Sequence, residues 1–181
     1  MAEPIRLFVT SSPELEAERE VAGQVVAGLP VRLGWEIRHT PRPGEALAPA
    51  LAAVETAHLY VFILGMDYSA PMGLEWARAV RAKKRKLVFV KEVAHSPAAA
   101  LWISEHSEEV DWVSFDSLAS FRLSFERHLI RALLDLAEAL RLHLDEIEGL
   151  RARLKALEEA VPEAPTVAHG AERSAIILGE R

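Results

Sequence analysis

A chain of 181 residues, half of them hydrophobic and 27% charged, is long enough for one domain with an appendage and apolar enough to bury a core. Its net charge of -6 offers no basic footprint that would favour nucleic acid, and the absence of cysteine excludes disulfides and thiolate metal sites. No apolar run approaches the length of a membrane span, and "MAEPIRLFV" lacks the basic start and cleavage site of a signal peptide, so a cytoplasmic protein is expected.

"IRLFVT" (5–10) is an apolar run with the character of a first strand. It ends at "SSPELEAER", where Ser11 and Glu14 have capping-box spacing and Pro13 suits a first helical turn, so a helix is predicted over about 13–28. "LGWEIRHT" (33–40) gives a second strand, "PRPGE" (41–45) a breaker-rich loop, and residues 45–57 a second helix. "HLYVFILG" (58–65) is apolar almost throughout, as a central parallel strand is when helices cover both faces. A helix (73–84), a strand (86–93), a short capped helix (96–106) and a fifth strand (109–115) complete the alternation. The basic cluster "RAKKRK" (81–86) sits where cations suit the end of a helix. Five strands alternating with helices predict an α/β fold, a three-layer doubly wound parallel five-stranded sheet over residues 1–116.

From Asp116 the pattern changes to a heptad. Leu133, Leu140, Ile147, Leu154 and Val161 form one seam, and Leu129, Leu136, His143, Leu150 and Leu157 the other. This predicts a long C-terminal coiled-coil helix over 117–161, about 65 Å at 1.5 Å per residue, that oligomerises the protein, most simply as a dimer. His143 is the one polar seam residue, read first as a register-setting position and second as a metal ligand or pH sensor. Residues 162–181 have the composition of a flexible tail.

Ligands of open parallel sheets bind at the carboxyl ends of the strands. Two turns fall there: the Ser11–Ser12 turn after the first strand, towards which Arg19 reaches, and "GMDYSAPMGLEWARA" after the third. Within the second, Glu75 is expected in the first turn of its helix, ionised by the helix dipole. An ionised carboxylate at a cleft can stabilise an oxocarbenium-like sugar during glycosidic cleavage. Equally, acidic residues are common in first turns without any chemical role.

"RLFVTSSPELEAER", "VETAHLYVFILGMDYS", "GLEWARA" and "KLVFVKE", in that order over residues 4–115, resemble a TIR-like family known as a domain of unknown function, often found at the N-terminus of signalling ATPases. The matching positions are Ser11, Ser12, Glu18, Arg19, Gly65, Tyr68, Glu75, Trp76 and Ala77. Wider relatives of that family are TIR domains and nucleoside 2-deoxyribosyltransferases. The resemblance implies a flavodoxin-like or TIR-like fold with Glu75 acting on the N-glycosidic bond of NAD or a nucleoside. It offers Ser11, Ser12, Asp67 and Tyr68 as ribose or base contacts. It implies no cofactor, NAD or a nucleoside being the substrate of an NAD glycohydrolase or nucleoside N-glycosidase. The alternative it carries is a non-catalytic scaffold that binds itself or a signalling partner.

Overall fold

The structure, a computed structural model, describes residues 4–160 apart from 33, 42 and 43. Strands β1 (Ile5–Ser11), β2 (Trp35–His39), β3 (Leu59–Leu64), β4 (Arg85–Lys91) and β5 (Val113–Phe115) make one sheet in the order β2-β1-β3-β4-β5, every pair parallel. Six helices are described: α1 (Glu16–Ala27), α2 (Leu47–Thr56), α3 (Ala70–Arg81), α4 (Pro97–His106), α5 (Leu118–Asp135) and α6 (Leu144–Glu159). The chain steps from β1 outward to β2, then returns to the other side of β1 for β3, so strand order reverses between β1 and β3. That reversal leaves a crevice at the carboxyl edge.

The strands sort their side chains by alternation. Leu59, Val61 and Ile63 of β3 enter one core with Val25 and Val26 of α1 and Phe121, Phe125 and Leu129 of α5. Tyr60, Phe62 and Leu64 enter the other, with Val54 of α2, Met72, Trp76 and Ala79 of α3, and Trp102 of α4. All six residues of β3 are buried, which is why its sequence is a continuous apolar run rather than an alternating one. The predicted sheet is therefore present, with strand ends shifted by a few residues; β5 is shortest, 113–115 against the expected 109–115. No helix among the described residues is long and apolar enough to cross a membrane.

The long C-terminal helix is not what forms. α5 ends at Asp135, and Arg141 adopts φ +53°, the left-handed conformation that closes helix ends. The Leu142 N–H donates to the Ala137 carbonyl across that turn, and α6 then packs across α5. The seam leucines are consequently used within the chain: Leu129, Leu133 and Leu150 are fully buried, and Leu136, Leu140, Leu154 and Leu157 pack against the same core. Ion pairs Arg153–Glu126 and Arg131–Glu158, both 2.7 Å, fasten the two helices. His143 is no seam residue; it precedes α6, and its N–H donates to Glu146 Oε2, whose Oε1 accepts from the Arg32 N–H. The predicted boundary at 117 thus separates elements of a single core. The tail, 162–181, and Val161 lie outside the described residues.

Candidate functional site

The last residues of β1 and β2 and the helix after β3 meet where strand order reverses. α3 begins at Ala70, after extended Ser69 and with Pro71 in its first turn, so Glu75 falls in the second turn and not the first. Met72, Glu75, Trp76 and Ala79 share one helix face, and that face is buried. Glu75 is carried with it under the sheet edge and is 0% exposed. Its Oε2 accepts hydrogen bonds from Thr10 Oγ1 of β1 (2.7 Å) and from Thr40 Oγ1, just past β2 (2.8 Å). Its Oε1 has no partner, and no cation neutralises the carboxyl among the described residues. Burial is the dominant influence and pushes its pKa up to about 7, against which the two hydroxyls pull weakly. The expectation of a dipole-ionised carboxylate is overturned: α3 starts earlier than predicted, so Glu75 lies deeper.

Ser11 and Ser12 occupy the same edge as Glu75, as expected, but they do not share an open pocket with it. Ser12 is spent on architecture. Its Oγ donates to the Asp67 carbonyl (2.5 Å) and accepts from the Gly65 N–H (2.8 Å), tying the end of β1 to the turn after β3. Glu14, the expected capping partner of Ser11, accepts instead from the Met66 N–H (2.6 Å), and α1 starts at Glu16 without a side-chain cap. A Cβ at Gly65 would sit against Glu14 Oε1 and 3.0 Å from the buried Leu15 side chain, so any larger residue would have to displace both. Ser11 Oγ accepts from Arg19 Nη1 at 2.8 Å. Exposed Asp67 accepts from Ser96 Oγ (2.7 Å) and the Tyr68 N–H (2.9 Å), which hold its carboxyl below the usual range. Tyr68 packs its half-buried ring on Phe62 and Trp102 at 6.4 and 6.1 Å. Its hydroxyl lies 2.9 Å from where a Cβ at Gly73 would be.

Two cavities flank this framework. The larger, about 370 Å³, is lined by Leu29, Pro30, Arg32, Asp145 and Glu146 before β2, at the amino edge and away from Glu75. The smaller, about 170 Å³, lies between the end of β2 and α2 and is lined by Phe8, Arg38, Pro41, Glu45, Pro49 and Ala50. It adjoins the Glu75 contacts: Phe8 is one alternation before Thr10, and Pro41 follows Thr40. No group of three or more His, Asp or Glu among the described residues is placed to hold a metal ion. Sequence reasoning missed Thr10 and Thr40, although a hydroxyl at the carboxyl end of each of the first two strands was a legible signal.

Chemically, the edge offers a buried carboxyl poised to change charge near neutrality. A cationic group brought against it would favour the carboxylate and be stabilised by it in a site of low dielectric.

No protein-family model matches the chain, and no curated protein matches it. One solved structure, the metal-soaked Flv1 flavodiiron core from Synechocystis sp. PCC6803, is similar over 77% of this chain at 10% identity and a TM-score of 0.48. The chain corresponds to 36% of that structure's length.

Proposed function

We propose that the carboxyl edge between β1 and β3 is a TIR-like nucleotide-processing site that cleaves an N-glycosidic bond, with Glu75 as its carboxyl group. The observation that carries this reading is the state of Glu75: fully buried, held by two hydroxyls on one oxygen, with the other oxygen unpartnered. A carboxyl serving only the fold would ordinarily have both oxygens satisfied or a cation beside it. Cleavage of a bond between ribose and a base develops positive charge on the sugar. That charge would draw the Glu75 proton equilibrium towards the carboxylate, giving stabilisation where it is needed. The flavodoxin-like strand order and the TIR-like spacing of Ser11, Ser12, Arg19, Tyr68 and Glu75 support the same reading.

Glu75 is closed from solvent here, so turnover requires the Thr10–Glu75–Thr40 contact to open. That enclosure favours a second reading, a non-catalytic interaction module in which Glu75 only ties three elements together. Incubation of the full chain and of Glu75→Gln with NAD and a panel of nucleosides and nucleotides decides between them. Release of nicotinamide or free base by wild type alone is the expected result. Equal rates, or no release from any compound, sinks the enzymatic reading.

A further inference from the structure

We propose that Arg19, His39 and Ser11 form an anion subsite that takes a phosphate, which makes the substrate class of this edge nucleotides rather than nucleosides. The choice of nucleotide rests on the reading above; the anion subsite does not.

Arg19 is an arginine at the carboxyl edge that meets no carboxylate, unlike several arginines elsewhere in the fold. Arg32, Arg38, Arg78, Arg85, Arg131 and Arg153 each lie against a carboxylate. Arg19 donates through Nη1 to Ser11 Oγ (2.8 Å) and the Ser12 carbonyl (3.2 Å), and through Nη2 to the Pro13 carbonyl (3.4 Å), all neutral oxygens. A guanidinium has five N–H donors, so two remain. The acids nearest along the same edge are committed elsewhere: Glu14 to the Met66 N–H, Glu18 to Lys91 (2.8 Å), and Asp67 to Ser96 and Tyr68.

His39 ends β2 in register with Val9, so it shares a sheet face with Val9 and, one alternation on, with Ser11. The three groups therefore gather on the α1 face of the edge. His39 is exposed at the strand end, yet partial desolvation by its neighbours, and then the Arg19 charge, hold its imidazole below the ordinary value. Two cation-forming side chains that repel each other, with no carboxylate hydrogen-bonded to either among the described residues, are relieved by a bound anion. A phosphate would take paired donors from Arg19 and one each from an imidazolium and the Ser11 hydroxyl, whose proton has no acceptor among the described residues. Thr10 and Ser11 are consecutive, so their side chains point to opposite faces of the strand end. Glu75 sits on the Thr10 side and the phosphate site on the Ser11 side, an arrangement that a ribose with its base at one end and its phosphate at the other can bridge.

Inorganic phosphate is the probe, titrated into the full chain at constant ionic strength while the His39 ring resonances are followed by NMR. A His39→Gln spectrum assigns them among the seven histidines. Phosphate should shift these resonances and raise the His39 titration midpoint. Arg19→Gln should weaken phosphate binding by about tenfold or more, the scale of a lost charge-assisted contact, and Arg19→Lys by less. A His39 signal indifferent to phosphate, or an equal response in folded Arg19→Gln, overturns the subsite. Phosphate binding without cleavage of any nucleotide leaves the subsite standing and removes the enzymatic reading. Cleavage of nucleosides as fast as their 5′-phosphates, with no phosphate response, does the reverse.

Discussion

Glu75→Gln tests how the buried carboxyl couples the fold to pH. The folded protein holds this carboxyl at a pKa of about 7, against about 4.5 for the unconstrained group. Between those values the folded chain keeps a proton that the unfolded chain has released, so stability falls as pH rises. The stabilising proton is fully present below about pH 4.5 and lost as pH passes through 7. At 1.36 kcal/mol per pH unit the whole interval amounts to about 3 kcal/mol, most of which lies between pH 5 and 8. For a chain of this size, that is a change in melting temperature of about 6–12 °C. Glutamine keeps the shape and cannot ionise, so the difference in unfolding free energy between wild type and Glu75→Gln should swing towards the variant by about 2–3 kcal/mol across that range. Urea unfolding of both proteins at several pH values measures it, and subtraction cancels the histidines. A difference that stays flat from pH 5 to 8 would refute the claim that Glu75 is buried without a cation.

Thr10→Val and Thr40→Val each remove a hydroxyl that favours the ionised form, so the pH at which Glu75 titrates should move upward, with about 1–2 kcal/mol lost at pH 8. Gly65→Ala should cost about 1–3 kcal/mol by overpacking Leu15 and Glu14, read as an earlier urea midpoint with an unchanged slope. Leu150→Ala should cost about 2–5 kcal/mol without changing the mass seen by light scattering, because its side chain fills the chain's own core; a change in subunit number instead would show that it packs between chains.

Much of this architecture is legible in the amino-acid order. Strands β1, β3 and β4 announce themselves as apolar runs because both faces of each are covered, and the strand–helix alternation gives the parallel sheet. Where the reading fails, the cause is specific. The seam from Leu129 to Leu157 has the period of a coiled coil, but periodicity states only that a helix buries a face, not whose core receives it. Arg141 in the left-handed conformation, where glycine would be the usual signal, conceals the break. Glu75 reads as a first-turn residue when the helix is started at residue 73; with Pro71 inside α3, the same glutamate becomes a buried one. Ser11 and Glu14 have the spacing of a capping box, yet Glu14 serves with Ser12 as a clasp between turns. Local spacing cannot separate those uses, since each satisfies backbone N–H groups equally well.

The way α5 covers the sheet has a consequence for biosynthesis. Phe89 of β4 meets Phe121 and Phe125 at 5.5 and 5.7 Å, and Phe115 of β5 meets Phe121 at 4.9 Å. When residue 115 leaves the ribosome, α2, α3 and α4 can already shelter one side of the sheet, while the other side of β4 and β5 still lacks these aromatic partners. An emerging chain would therefore carry a bare aromatic surface until some twenty further residues had been made, an interval of about 1–4 s at ordinary rates of elongation. A chain stalled with Phe115 just clear of the exit tunnel should be a chaperone client, and one stalled with Leu133 clear of it should not.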